Sequence, residues 1–299
     1  MTSIREIEIE RDAPDLVELV RQTNPTAVIN VEAFVHRIQT APPRAKSRTW
    51  VAEEAGRIVG RADCYLSLFA ADPHTAGVHV AVFEDHRRHG IGSVLYDTGI
   101  DYAHSLGVDR VLTSFHENPG GVAFAEQRGF ALVRAETESA LDPRTVAEQP
   151  VGDVRAVSAI DPRLAYIVDI EATHDMPSTE EFEGMAYEEW TEHVLDHPLF
   201  TPDGSFVAFA DGEAAAVSLL TVDRESDRAA NMFTGTRSAY RGRGLALSAK
   251  LASIAWAAAN GVTVLVTSND ATNAPMLAVN KRLGYEPGGR RVEYLRDLA

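Results

Sequence analysis

The feature that most constrains this chain is an internal duplication with a period of about 155 residues. The segments 50–52 (WVA) and 206–208 (FVA) each precede an acidic-glycine turn, and they lie 156 residues apart. Gly90 in RRHGIG and Gly244 in RGRGLA lie 154 residues apart. Further pairs in the same order are Gly107 with Gly261, Thr113 with Thr267, and Asn118 with Asn273. A period this long exceeds that of solenoid repeats and indicates two copies of one domain.

The duplication also predicts where the chain divides. A chain of 299 residues is long enough for two domains of ordinary size. The stretch 141–153 carries two prolines and no periodic apolar pattern, which is typical of a linker. We therefore predict one domain at 1–145 and a second at 150–299.

The order of the predicted elements indicates the fold class. In the second copy they are strands at 206–210, 214–222 and 229–234, a helix from Leu245 to Asn260, a strand at 262–267 and a helix from Ala274 to Leu283. Hairpin strands come first, and strands alternating with helices follow. This order predicts an α/β fold (an α+β mixed sheet) in each copy, antiparallel early, partly parallel later and flanked by helices.

Composition narrows the class of protein and its partners. The formal net charge is −16, which argues against a nucleic-acid partner because phosphate contacts need a basic face. The acidity favours a cationic amine as substrate, or it serves only solubility. A single cysteine, no apolar run of membrane-spanning length and a charged N-terminal stretch point to a cytoplasmic protein without a membrane partner. The ten histidines lack metal-ligand spacing, so no metal is expected.

A glycine-rich turn precedes the same helix in both copies. In the second copy it runs from Arg241 to Ala246, and in the first from Arg87 to Ser93. Glycine allows close approach of a ligand, and the free N–H groups at a helix start favour anions. A strand, a glycine turn and a helix start together predict a cradle for a diphosphate. The turn is neither a Walker loop nor a Rossmann fingerprint, because GK[ST] and GxGxxG are absent from it.

Two motifs, both duplicated, resemble those of the GNAT superfamily of N-acetyltransferases. The first is Arg-x-x-Gly-x-Gly/Ala after a strand, present at 87–92 and at 241–246. The second is an asparagine eleven residues before a Gly-aromatic pair, present at 118–130 and at 273–285. The tandem layout is similar to that of mycothiol synthase and other two-domain members.

The resemblance implies the cofactor and where it binds. It implies acetyl-coenzyme A, with the pantetheine arm in a gap between the fourth and fifth strands of a splayed sheet. The arm would pair with the backbone of Ala81 and Val82, or of Thr234 and Thr236. The second-copy residues it assigns to the cofactor are Thr234, Thr236, Arg241, Gly242, Arg243, Gly244, Leu245, Ala246 and Asn273. The first-copy residues are Val82, Arg87, Arg88, His89, Gly90, Ile91, Gly92, Ser93 and Asn118.

The resemblance also bears on the reaction. Family members transfer an acyl group directly to an amine, and many use a tyrosine four residues before the closing glycine as the acid. Here those positions hold Ala125 and Asn280. Asn280 can donate a hydrogen bond although it cannot act as an acid, so we predict that the second copy is catalytic and the first degenerate. Alternatively, Asn280 is only a polar residue that packs on the sheet.

The general base is predicted less specifically. His174 and Asp175 fall where family members often bind the acceptor, although solvated helix-end residues would have the same pattern. The leading hypothesis is an N-acetyltransferase acting on a primary amine of a small molecule. The alternative is a protein that binds acyl-coenzyme A as a sensor or scaffold without turnover.

Overall fold

The computed structural model describes residues 2–67, 74–174 and 184–298, which fold as two units. The first unit comprises Met1–Glu136 and Gly289–Ala299, and the second comprises Thr137–Gly288. The predicted domains, 1–145 and 150–299, differ from this division mainly at the C-terminus, where the last strand belongs to the first unit. No helix in the described ranges has both the length and the apolar composition needed to cross a membrane.

The first unit is a mixed sheet flanked by helices. Its elements are β1 (Ser3–Glu6), α1 (Ile9–Thr23), α2 (Val31–Gln39), β2 (Arg48–Glu54), β3 (Arg57–Leu66), β4 (Thr75–Val82), α3 (Ile91–Ser105), β5 (Arg110–His116), α4 (Pro119–Glu126), the start of β6 (Ala131–Leu141) and most of β12 (Glu286–Asp297). The strand order is β1-β2-β3-β4-β5-β12. All these pairs are antiparallel except β4 with β5, which is parallel.

The second unit repeats this arrangement. Its elements are the end of β6, β7 (Asp153–Ala156), α5 (Arg163–Thr173), α6 (Tyr187–Trp190), β8 (Phe206–Ala210), β9 (Glu213–Asp223), β10 (Arg228–Thr236), α7 (Leu245–Ala259), β11 (Val264–Asp270) and α8 (Ala274–Leu283). The strand order is β6-β11-β10-β9-β8-β7, with β10 and β11 parallel. The predicted mixed sheet, antiparallel early and partly parallel later, is thus confirmed in both units.

The last strand of the chain completes the first unit. β12 runs antiparallel to β5 from Arg291 to Asp297, and Val292 and Tyr294 are buried in the core of that unit. The repeated motifs end at Tyr285, so they carried no information about where this strand pairs.

The parallel pair of strands separates part-way along in each unit. β4 pairs with β5 only from Thr75 to Gly77, although β4 continues to Val82. β10 pairs with β11 only from Arg228 to Ala230, and a bulge between Asn231 and Phe233 then shifts the register of β10 against β9. Both sheets are therefore splayed, which confirms the expectation drawn from the resemblance.

Helix α7 lies across the splayed sheet of the second unit. It is rich in alanine, the best helix former, and Ala249 packs against Ala208 and Ala216, which lets the helix approach the strands closely. Leu251 and Ile254 belong to the neighbouring apolar core. This packing fixes the start of the helix beside the end of β10.

Candidate functional site

The glycine turn of the second unit has the backbone geometry of an anion cradle. Gly242 and Gly244 both have φ of 75°, in the left-handed region, and, adjacent residues aside, no atom of the described residues lies within 4 Å of where a Cβ would stand at either. α7 begins directly afterwards at Leu245, and no side chain of the described residues caps its start at Gly244. Residues 241–244 are exposed. The first N–H groups of α7 are therefore available to a negatively charged ligand.

The first arginine of each motif ties the turn to the end of the fourth strand. Arg241 Nε donates to the Thr236 carbonyl at 3.3 Å, and Arg87 Nε donates to the Val82 carbonyl at 3.0 Å. Both arginines thus make the same local contact in the two units. Their predicted role at the diphosphate stays a prediction, and the contact shows how the turn is held beside the strand.

Arg243 is held by a different partner. Its Nη1 lies 2.6 Å from Asp211 Oδ2 in an exposed ion pair. Beside it lies a cleft of about 220 Å³ with lining residues that include Arg243, Gly244, Leu245, Ser248 and Arg282. Glu148 also lines the cleft and pairs with Arg282, so a phosphate-bearing ligand would compete with Glu148 and Asp211 for the two guanidinium groups beside the helix start.

The first-unit turn is built with more strain and more internal contacts. The position of Gly242 is occupied there by Arg88, a non-glycine residue with φ of 67°, which costs about 1 kcal/mol or more. Gly90 caps α3 with φ of 85°. Ser93 Oγ accepts a hydrogen bond from Arg128 Nη2 at 2.8 Å. The predicted residues His89, Ile91 and Gly92 lie in the same turn and first helical residues, of which Ile91 is buried.

His79 bridges the separated strands of the first unit. Its Nδ1 accepts from the Ser114 backbone N–H on β5 at 3.2 Å, and its Nε2 lies 2.9 Å from the Tyr65 hydroxyl. Burial lowers the pKa of His79 to about 4, so the ring is neutral near pH 7. Where the strands part, the opening in the first unit is thus occupied by the protein's own hydrogen bonds.

The corresponding region of the second unit holds a buried polar cluster that includes Asn280. Lys250 Nζ on α7 donates to Asn280 Oδ1 on α8 at 2.6 Å, and Asn280 Nδ2 donates to Asn269 Oδ1 at 2.6 Å. Asn269 lies on β11 beyond Val266, the last residue paired with β10. Burial lowers the pKa of Lys250 to about 7. Three elements thus meet through one asparagine at the separated strands.

A second buried network fixes the point where the strands part. Tyr285 Oη donates to Asn231 Oδ1 at 2.8 Å, and Asn231 Nδ2 donates to Ser218 Oγ at 3.1 Å. Ser253 Oγ on α7 lies 3.1 Å from the same Ser218 hydroxyl. The network anchors β10 at its bulge to α7 and to β9.

The first unit lacks these polar groups at the matching positions. Tyr96 stands where the second unit has Lys250, and Ala125 stands in place of Asn280. Phe130 matches Tyr285, and Gly99 matches Ser253. Tyr96 packs edge-on against Phe130 in the apolar core. The two units therefore share a backbone but differ in what lines the splayed region.

The two predicted asparagines of the second motif are helix caps. Asn118 Oδ1 accepts from the Gly121 N–H at 2.8 Å, and Asn273 Oδ1 accepts from the Met276 N–H at 3.3 Å. Each starts a helix, α4 or α8, that ends shortly before the Gly-aromatic pair. Their contact with a pantetheine arm stays a prediction.

The structure describes only one of the two predicted base residues. His174 is the exposed C-cap of α5, and Asp175 lies outside the described residues. Glu171, one turn earlier, pairs with Arg237 at 2.7 Å. The role of a base for His174 or Asp175 stays a prediction.

Thr234 carries a group that lacks a partner. Its Oγ1 is buried and has no hydrogen-bond partner among the described residues. Thr234 lies on the separated part of β10, where the resemblance puts the pantetheine arm. An unsatisfied buried hydroxyl costs free energy, and a polar ligand along this strand would satisfy it.

Sequence reasoning missed Lys250 and also Asp169, a buried acid on α5. Asp169 Oδ2 accepts from Trp190 Nε1 at 2.7 Å, and burial raises the pKa of Asp169 to about 6. Each of these residues is a charged residue on a helix face that packs inward. A charge at such a position can be recognised from the sequence, and this pattern could have identified both.

Asp169→Asn is expected to change how stability depends on pH. Because the folded-state pKa lies above the unfolded value of 3.8, wild-type stability falls, relative to the variant, as the pH rises from about 4 to 6, by roughly 3 kcal/mol. The asparagine oxygen still accepts from Trp190. Denaturant unfolding of both proteins across this range measures the difference, and the exposed Asp196→Asn is the control. If the unfolding free energies of Asp169→Asn and wild type changed in parallel with pH, the raised pKa of Asp169 would be contradicted.

The fold and the site together define the class of the protein. Two splayed mixed sheets, each with a glycine turn and a helix start beside the fourth strand, are the architecture that the duplicated motifs implied. The acetyltransferase (GNAT) family model matches residues 15–130 and 168–285, and the chain belongs to this family.

Solved structures show the same tandem fold. A tandem GNAT protein from the clavulanic acid biosynthesis pathway is 21% identical with a TM-score of 0.74, covering 99% of this chain and 98% of that one. A GCN5-related N-acetyltransferase from Sphaerobacter thermophilus is 20% identical with a TM-score of 0.74, covering 99% and 95%. A putative acetyltransferase from Pyrococcus horikoshii is 13% identical with a TM-score of 0.63, covering 100% and 90%. No curated protein sequence matches the chain.

Proposed function

We propose that this protein is an N-acetyltransferase that moves an acetyl group from acetyl-coenzyme A to a primary amine of a small molecule, in its second unit. The observation that carries the proposal is the pairing of an open cradle at Gly242 and Gly244 with the buried donor Asn280 at the separated strands. The first unit has a cradle but only apolar Ala125 at the matching position.

The residues present fit acetyl-coenzyme A. The start of α7 would hold the diphosphate, with Arg243 and Arg282 close by in the same cleft. The orphaned Thr234 hydroxyl would gain a partner from the pantetheine arm. When bound, the cofactor supplies an activated acetyl group, and the chain's own residues then govern its transfer.

Those residues would position the reacting groups and stabilise the charge that develops during transfer. The amine must be neutral to attack the thioester carbonyl. As the carbon–nitrogen bond forms, the carbon–sulfur bond breaks and the thiolate leaves. The amine proton passes to a base or to water. Asn280 would donate a hydrogen bond to the departing sulfur. His174 and Asp175 remain the proposed bases at the acceptor side. The net charge of −16 favours a cationic amine as acceptor.

Thiol release from acetyl-coenzyme A with a panel of small amines tests the proposal. Asn280→Ala is expected to lower kcat by roughly 10- to 100-fold, because a donor aimed at developing charge is lost. The exposed Asn260→Ala, at the C-cap of α7, is the matched control and is expected to leave the rate unchanged. Equal rates for Asn280→Ala and wild type would exclude a catalytic part for Asn280.

A binding protein without turnover is the second candidate. It is favoured by the lack of a true acid at both matching positions, Ala125 and Asn280. Calorimetry separates the two: tight acetyl-coenzyme A binding with no thiol release over the whole amine panel would support the sensor or scaffold.

A further inference from the structure

Lys250 is an unusual residue in this chain. The sequence has three lysines, at 46, 250 and 281. Lys46 and Lys281 are exposed, whereas Lys250 is fully buried in α7. No carboxylate pairs with it among the described residues, and burial alone accounts for its lowered pKa. A buried ammonium without a counter-charge is costly, and such departures from good packing concentrate at functional sites.

The contacts of Lys250 point to one neighbour. Within the described part of the chain its Nζ has a single hydrogen-bond acceptor, Asn280 Oδ1 at 2.6 Å. The other contact is the face of the Tyr285 ring, whose centroid lies 4.7 Å from Nζ. Lys250 therefore acts on its surroundings chiefly through the Asn280 amide.

A lysine ammonium can only donate, so it determines which way the amide faces. The two ends of an asparagine amide are nearly equal in shape but opposite in hydrogen bonding. With Oδ1 held by Lys250, Nδ2 must face the other way, towards Asn269 on the separated part of β11. One Nδ2 hydrogen is used by Asn269, and the second has no acceptor among the described residues. Without Lys250 the amide could turn over and present its oxygen instead.

Resting on the proposed function, we propose that Lys250 is a positioning residue that holds the Asn280 amide with its free N–H available to the sulfur of a bound acyl-coenzyme A. An amide turned the other way would place an oxygen lone pair against the departing thiolate, which is repulsive. Hydrogen bonding by the ammonium also polarises the amide and strengthens its N–H as a donor. The matching residues of the first unit, Tyr96 and Ala125, both belong to its apolar core, where alanine offers no amide to orient.

The orientation of the Asn280 amide by Lys250 depends on pH. Tyr285 is the titratable group that faces Lys250; burial raises its pKa, and its hydroxyl donates to Asn231, so it stays neutral. On α8 the facing group is Asn280, whose own partner on β11 is Asn269, and neither amide titrates. Because the pKa of Lys250 is about 7, the ammonium holds the amide below that pH. Above it the neutral amine has a lone pair and holds the amide less firmly.

The ratio of wild-type to Lys250→Met rates, measured from pH 6 to 9, tests this proposal. A ratio cancels the titration of the acceptor amine. We expect kcat to fall about tenfold in the variant at pH 6, with the KM for acetyl-coenzyme A nearly unchanged, and the ratio to shrink to about twofold at pH 9. Lys281→Met, adjacent to Asn280 in sequence but exposed, should match wild type. In an Asn280→Ala background Lys250→Met should have no further effect on kcat. A pH-independent ratio, or additive effects of the two substitutions, would overturn the role.

Binding measured on the wild-type protein gives a second readout that does not need turnover. We expect coenzyme A to bind about fivefold more tightly than desulfo-coenzyme A at pH 6, and this preference to shrink as the pH rises through 7. Lysine-labelled protein has only three side-chain signals, so the titration of Lys250 can be followed directly by NMR. A preference that is absent, or equal at pH 6 and pH 9, would refute the proposal while leaving thiol release intact. A pH-dependent preference without thiol release from any amine would instead refute the proposed function.

Discussion

The stability of the wild-type protein is expected to rise steeply with pH between about pH 7 and 10.5, and Lys250→Met is expected to abolish this rise. The pKa of Lys250 falls from 10.5 to about 7 on folding because burial disfavours the charged form. In this window the unfolded chain binds the proton and the folded chain does not. Wild-type stability should therefore rise with pH by about 1.4 kcal/mol per unit, or roughly 5 kcal/mol in all.

Below about pH 7 the lysine is protonated in both states, so the burial penalty is at its largest and constant. Methionine has a similar length and no charge, and its variant lacks the penalty at every pH. The variant loses the hydrogen bond that the neutral amine makes to Asn280 as a fixed amount, and the extra strength of the ammonium's bond is already contained in the folded-state pKa of Lys250. The test is therefore how the difference in unfolding free energy between the two proteins changes with pH. The fixed loss does not affect this slope.

Denaturant unfolding of wild type and variant at half-unit steps from pH 6 to 10.5 measures this slope. Lys281→Met is the matched control, because it removes an exposed lysine from the adjacent helix α8. Its curve should run parallel to that of wild type. If Lys250→Met also ran parallel, the amine would be as well solvated in the folded protein as in the unfolded one, and its burial would have no functional meaning.

The sequence predicted the parts of the fold that depend on local pattern. The left-handed glycines at 242 and 244 and the start of α7 at Leu245 follow from the turn itself, because only glycine enters that backbone region easily. The mixed sheet follows from the order of strands and helices. The separation of the fourth and fifth strands came from the family resemblance, since no local pattern encodes where two parallel strands part.

The features that could not be predicted from the sequence depend on contacts between residues far apart in the chain. β12 pairs with β5, some 180 residues earlier, and its alternation alone is compatible with either unit. Lys250 stands in the apolar run LALSAKLASIAWAAA, and its buried side chain contacts Asn280 on α8 and the ring of Tyr285, both distant in sequence. A lone lysine in a helix that is apolar on all sides is a usable warning. Asn280, the hydrogen-bond partner of Lys250, lies 30 residues further along the chain.

Gly244→Glu is expected to weaken acetyl-coenzyme A binding by about 100-fold or more, whereas Gly90→Glu leaves binding unchanged. A carboxylate at residue 244 would lie at the start of α7, where it satisfies the free N–H groups and repels the diphosphate. At the first-unit turn the same change should have no effect, because His79 bridges the splayed strands there and Ala125 offers no donor. Calorimetry should find one binding equivalent per chain in wild type and in Gly90→Glu.

Gly261→Glu separates loss of the ligand site from loss of backbone freedom. Gly261 follows the other end of α7, has φ of 81° against 75° for Gly244, and is equally open where a Cβ would lie. Both substitutions should therefore lower stability by a similar amount, about 1–2 kcal/mol. Only Gly244→Glu should lose the cofactor, because only residue 244 adjoins the unpaired N–H groups of the helix. Equal losses of binding in the two variants would trace the effect to strain in α7, and loss of one of two equivalents in Gly90→Glu would show that the first-unit cradle also holds acetyl-coenzyme A.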